Sequence, residues 1–143
     1  MEGQCILIYM TDIRPHLKVQ FYAILVLLIV VFAFNNFAAK LSLYWIYRWL
    51  DIPMHFIGGA LVTWFCFVCV AFLRKDFYIP WIYALIFSFG IGFMWEIIEF
   101  YEKVSQMVPE YALDTVKDLL MDMIGGLSVY VAWDWFGGKS LNK

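Results

Sequence analysis

Apolar residues run along this chain in blocks long enough to cross a bilayer, and the polar residues gather at the ends of those blocks. A helix rises about 1.5 Å per residue, so about 30 Å of hydrocarbon takes about 20 mostly apolar residues. Four segments meet that length: about 19–39, which carries the run AILVLLIVVFAF, about 54–73, about 77–101, and about 113–136. Barrel strands would be about ten residues each with strict alternation, and that pattern is absent here. The blocks therefore predict an all-α, polytopic membrane protein, a single domain over 1–143, in which each helix pairs its own backbone groups as lipid demands.

The stretches between the blocks refine this. Residues 40–50, KLSLYWIYRWL, set Tyr44, Trp45, Tyr47 and Trp49 beside Lys40 and Arg48. Aromatic and basic residues together suit the membrane surface, which predicts an interfacial helix between the first two spans. Arg74-Lys75-Asp76 is a very short link and forces an antiparallel hairpin. Pro80 is expected in the first turn of the third span, where its missing N–H costs least. The first apolar block is longer than a signal-peptide core, and Asn36-Phe37-Ala38 makes a poor cleavage site, so the block reads as a span.

Composition agrees: 64% of the residues are apolar, 21% aromatic and 15% charged. A soluble domain has about 45–50% apolar and about 25% charged residues. The net charge of −2 excludes a basic nucleic-acid-binding surface. Alternating spans place Arg14, Lys18, Arg74, Lys75, Lys139 and Lys143 on one side, against Lys40, Arg48, Lys103 and Lys117 on the other. The positive-inside rule then predicts cytoplasmic termini and a multi-pass protein of the cell membrane.

The acidic residues change the picture most. Asp51, Glu96, Glu99, Glu102, Glu110, Asp114, Asp118 and Asp122 all fall on one side. A helix start, a helix end and another start meet there because neighbouring spans are antiparallel. Asp51 and His55 are four residues apart, as are Asp118 and Asp122, while Glu96 and Glu99 are three apart, so each pair shares a helix face. Ionisable groups inside spans face a bundle interior or a wet cavity. Several carboxylates in a low-dielectric space either bind a cation or share protons. Gly58 and Gly59 follow His55, Gly92 precedes Glu96, and Gly125 and Gly126 follow Asp122, so each polar row continues into glycine and predicts close helix packing beneath a polar pocket.

No GxSxG, HExxH, Walker loop or Glu-x-x-His pair is present. Cys66 and Cys69 have redox-motif spacing but lie in mid-span, and they read as small packing residues. Trp133-Asp134-Trp135 reads as an aromatic belt.

The segments Asp51-Ile-Pro-Met-His55-Phe56-Ile-Gly58, Trp95-Glu96-Ile-Ile-Glu99 and Asp114-Thr115-Val-Lys-Asp118-Leu-Leu-Met-Asp122-Met-Ile-Gly125 resemble the YjdF-like group of small membrane proteins. More distantly they resemble VanZ-like proteins, associated with teicoplanin resistance. The resemblance covers about 51–126, and it departs where Ile52 and Pro53 follow Asp51 in place of the usual Lys.

Three functions fit these residues. One is a metal-dependent enzyme acting on a lipid or lipid-linked phosphate. In it Glu96, Glu99, Asp118 and Asp122 are expected to hold Mg²⁺ or Mn²⁺ rather than Zn²⁺, with His55 as general acid/base and Asp51 orienting it. The second is a proton- or cation-coupled transporter using the same carboxylates. The third is a structural subunit. Expected partners are membrane lipids, with a second copy or another membrane protein also compatible.

Overall fold

The computed structural model describes residues 2–74, 79–101 and 111–138, and all of its regular structure is helical. Helix α1 covers Glu2–Lys40 and α2 Leu43–Ile46; a 3₁₀ turn, Arg48–Leu50, leads into α3, Asp51–Arg74. Helices α4 and α5 are Trp81–Tyr101 and Tyr111–Trp133, and a π-helical turn over Asp134–Gly138 closes the described chain.

Among the described residues, three stretches are long and apolar enough to cross a membrane: Pro15–Lys40, Arg48–Leu73 and Trp81–Tyr101. Helix α5 has the length but carries Asp114, Lys117, Asp118 and Asp122 in its first half, so composition alone does not mark it.

Local differences from the sequence-based expectations have simple causes. The stretch expected as one interfacial helix is broken. Ser42 takes a left-handed conformation (φ 55°), and α2 and the 3₁₀ turn are single short turns with Trp45, Tyr47 and Trp49 exposed. Helix α3 begins at Asp51, before the expected start, and Pro53 falls in its first turn, where no backbone donor is lost. Asp51 and His55 are thereby on one helix, a turn apart. Pro80 stands just before α4, its carbonyl accepting from the Tyr83 N–H at 3.0 Å. The expected Arg74-Lys75-Asp76 turn lies largely outside the described residues, as do Glu102, Lys103 and Glu110.

Helix α3 is the hub. It packs most extensively on α5 and also contacts α1 and α4, while α4 packs on α5. Two apolar clusters fill the end remote from the acids: Leu17 and Ile24 of α1 with Val68 and Ala71 of α3, and Phe67 of α3 with Ala84, Phe87 and Trp133 of α4 and α5. Phe67 meets Trp133 edge-on at 5.6 Å.

At the acidic end backbones take over from side chains. A Cβ on Gly59 would lie 2.6 Å from Asp122 Cα, and one on Gly125 would lie 3.0 Å from the Ala60 nitrogen. The two glycines let α3 and α5 touch main chain to main chain, the packing that lipid-embedded helices favour. Gly92 of α4 likewise makes room for the Asp122 carboxylate.

Candidate functional site

The polar ends of α3, α4 and α5 converge. His55 is 7% exposed, Glu96 and Asp122 are 4% exposed, and Asp118 is 3% exposed. His55 sits at the centre of the cluster. Its Nδ1 is 3.2 Å from Asp122 Oδ2, and its Nε2 is 3.6 Å from Asp51 Oδ1. Both ring nitrogens therefore face carboxylates, a geometry that suits an imidazolium or a ring fixed in one tautomer by Asp122.

A cation supplied by the chain itself neutralises part of the cluster. Lys117 Nζ is 3.3 Å from Asp118 Oδ1 and 3.8 Å from Asp51 Oδ2, and it hydrogen-bonds Asp114. Asp118 Oδ1 is within ion-pair range of that ammonium yet accepts no hydrogen bond, and Glu96 Oε1 is buried without one as well. Orphaned buried carboxylate oxygens are costly, so the two atoms mark where the site is electrostatically incomplete.

The remaining acids face different neighbours. Thr115 of α5 donates to Glu96 Oε2 at 2.8 Å, and the Trp95 indole donates to Glu99 Oε1 at 2.8 Å. A three-residue step on a helix turns about 300°, so Glu96 looks toward α5 while Glu99 lines the cavity beside α1. Among the described residues, the group whose ligand atoms all lie within 4.8 Å of one another is Asp51, His55 and Asp118. Its membership differs from the set expected from spacing: Glu96 and Glu99 are drawn off to Thr115 and Trp95, and Asp122 is occupied by His55.

By its position in the chain Lys117 counts only toward orientation. Its three-residue step from Asp114 allows an ion pair along the helix surface, and spacing alone does not say that the side chain turns inward. Thr115 and Trp95 carried no comparable signal.

A cavity of about 300 Å³ adjoins the cluster. Asp51, His55, Glu99, Asp122 and Asn35 form its polar end, and side chains of α1, α3 and α4 form its apolar length. Asn35 accepts a hydrogen bond from the Tyr44 hydroxyl in the turn above. Burial, then the nearby Asp51 and Glu99 charges, push the Tyr44 phenol up to about 12.

No curated protein and no solved structure matches the chain. A family model described as a predicted membrane protein, DUF2238, matches residues 4–138, and the YjdF-like resemblance points to this same family. The comparisons give no support to the more distant VanZ-like resemblance. With nearly its whole length matched, the chain belongs to the DUF2238 family of membrane proteins.

Proposed function

We propose that this protein is a four-span membrane enzyme that holds a divalent cation at Asp51, His55 and Asp118 and acts on a lipid or lipid-linked phosphate. One observation carries the reading: ligand atoms of these three residues lie within 4.8 Å of one another, and Asp118 Oδ1 is buried without a hydrogen bond. Hard cations sit about 2.0–2.6 Å from their oxygen ligands, so groups this close need little movement to share one ion. Asp122 on Nδ1 occupies the place of the carboxylate that commonly orients a metal-binding imidazole, leaving Nε2 turned toward Asp51. Two carboxylates and one imidazole suit Mn²⁺ or Mg²⁺, with Zn²⁺ less favoured by the oxygen majority.

The roles expected from spacing shift accordingly. His55 and Asp51 become ligands, and Asp122 becomes the orienting group. Such a cation, when bound, polarises a phosphoryl oxygen or activates water. Lys117 stabilises the two carboxylates without metal and must swing aside for a cation to enter, where its ammonium can meet a phosphate.

The fourth crossing is supported by the faces of α5. Asp118 and Asp122 are buried, whereas Val116, Leu120, Ile124 and Val131 are exposed, an apolar face for lipid. The Lys/Arg bias favours cytoplasmic termini and a site facing the opposite compartment; reporter fusions at Lys143 and at Ser105 test this by reporting opposite sides.

The deciding experiment is metal analysis of the purified protein, Mn²⁺ titration by calorimetry, and phosphate release from a panel of lipid phosphates. Wild type should bind one cation and turn over, and Asp118→Asn should do neither. Absence of cation binding overturns the reading. Lys117 already neutralises the acids, and this favours one alternative, a proton- or cation-coupled carrier. Cation binding without turnover on any lipid phosphate selects it.

A further inference from the structure

We infer that the cavity beside the cluster is a slot for one hydrocarbon chain, which enters sideways between α1 and α4 and brings a phosphate on that chain to the polar end. The inference rests on the metal-site reading above and names the substrate class it takes.

The shape of the slot is the first argument. Its lining runs from Asp51 to Val62 on α3 and from Glu99 back to Ser88 on α4. Each run is eleven residue steps, about 16 Å of helix. Bilayer hydrocarbon is about 30 Å thick, so the slot reaches from one membrane face to about the midplane, the depth of a single leaflet. A volume of about 300 Å³ over that length leaves a mean cross-section of about 19 Å², roughly 5 Å across. Carbon atoms in van der Waals contact are about 3.5–4.0 Å apart, so one hydrocarbon chain fits this width.

Polarity along the slot is the second argument. Asn35, Asp51, His55 and Glu99 gather at the membrane-face end, and the Asp122 carboxylate reaches in beside Gly58 and Gly92. Leu28, Val31, Val62 and Ile91 line the length, with the Ser88 hydroxyl at the far end turned to the Ala84 carbonyl. That order matches an amphiphile lying in its natural orientation in a leaflet.

The third argument is access. Helix α1 packs on α3 and makes almost no contact with α4. Phe32 of α1 and Ile91 of α4 both line the slot and are 60% and 45% exposed, so the seam between these helices opens onto the surface that faces lipid. A chain can pass through it without leaving the membrane.

The head must be one that this end can accept. No Lys or Arg lines the slot, whereas three carboxylates do. A divalent cation between phosphate and acids removes that repulsion, and Asp51 and His55 belong both to the slot and to the proposed cation site. The occupant is therefore a phosphate on a single alkyl or isoprenyl chain, recognised with its metal.

Photolabelling of the full-length protein in nanodiscs tests this, with a diazirine-bearing monoalkyl phosphate and Mn²⁺, read by peptide mass spectrometry. Labels should concentrate on residues 28–32 and 88–95, and chelation should reduce them at least tenfold. Val31→Trp and Val62→Trp narrow the slot from two helices, at lining positions away from the acids. Each variant should cut slot labelling at least tenfold while binding Mn²⁺ as wild type does by calorimetry.

Uniform labelling of all lipid-facing surfaces, or labelling that both variants leave intact, overturns the slot. So does stronger labelling by a two-chain phosphatidate probe, or by an alkylammonium probe of equal length without metal. The metal-site reading fails separately: Mn²⁺ binding absent by calorimetry sinks it whatever the labels show, and Mn²⁺ binding with no slot labelling sinks only the slot.

Discussion

The same three helices, α3, α4 and α5, are joined in two different ways at their two ends. At the remote end Phe67, Phe87 and Trp133 interlock as large side chains. At the acidic end Gly59 and Gly125 bring the α3 and α5 backbones together, and His55, Asp118 and Asp122 occupy the space that bulky side chains would fill. Bulk holds helices apart at a fixed distance and tolerates adjustment. Glycine contacts allow none, and they are what keep four carboxylates, the Lys117 ammonium and the His55 ring within a few ångströms. The remote end is thus held by bulk, and the acidic end, the half in which the chemistry is proposed, by backbone contact.

The sharpest way to break this contrast is to add one methyl group. Gly59→Ala puts a carbon into the Asp122 backbone, where neither helix can give. Stability in detergent should fall by about 3 kcal/mol or more, the upper end of overpacking costs, with loss of folded protein on size exclusion. Gly90→Ala is the counter-case. Its Cβ meets nothing within 4 Å, and the variant should gain about 0.5–1 kcal/mol of helix propensity. Equal melting curves for the two variants would mean that α3 and α5 are not in backbone contact.

Phe67→Ala should cost about 3 kcal/mol by leaving a cavity at the remote end, while Mn²⁺ affinity stays unchanged. A matched fall in metal affinity, read by calorimetry, would show the two halves to be one cooperative unit.

Lys117→Met acts on the acidic end alone. It removes the ammonium shared by Asp51, Asp114 and Asp118, and Asp118 Oδ1 then lies buried without its ion-pair partner. The metal-free protein should lose about 1–2 kcal/mol, less than a fully buried pair would cost because Lys117 is partly exposed. Mn²⁺ should bind more tightly in this variant, since no ammonium competes. Weaker binding would mean that Lys117 supports the cation site rather than guarding it.

Much of this division was legible in the sequence. Apolar blocks located the helices, antiparallel alternation brought Asp51, Glu96 and Asp118 to one side, and the glycine rows beneath them foretold the close contacts at Gly59 and Gly125. The partnerships were not legible. Periodicity gives the face of a helix but not its rotation against neighbours, and about 60° separates Glu96, bonded to Thr115, from Glu99, bonded to Trp95. Nor does spacing say that a long side chain such as Lys117 will bend back into an acidic cluster that outnumbers it. The interfacial stretch failed for a local reason: a left-handed Ser42 is invisible to a composition argument about aromatic and basic residues.

The smallest effect belongs to Tyr44, which stands over the polar end of the slot and donates to Asn35. Burial, with Asp51 and Glu99 nearby, holds its phenol neutral up to about pH 12. An exposed tyrosine ionises near pH 10. Between about pH 10 and 12 the unfolded chain therefore loses a proton that the folded chain keeps, and stability falls as pH rises through that window, with no contribution lost below it. The chain has nine tyrosines, so the phenolate absorbance must be read as wild type minus Tyr44→Phe. A difference titrating near pH 12 fits a Tyr44 packed against the acidic end. A difference titrating near pH 10 would place it in open headgroup water, and the polar end of the slot would then lack its cover.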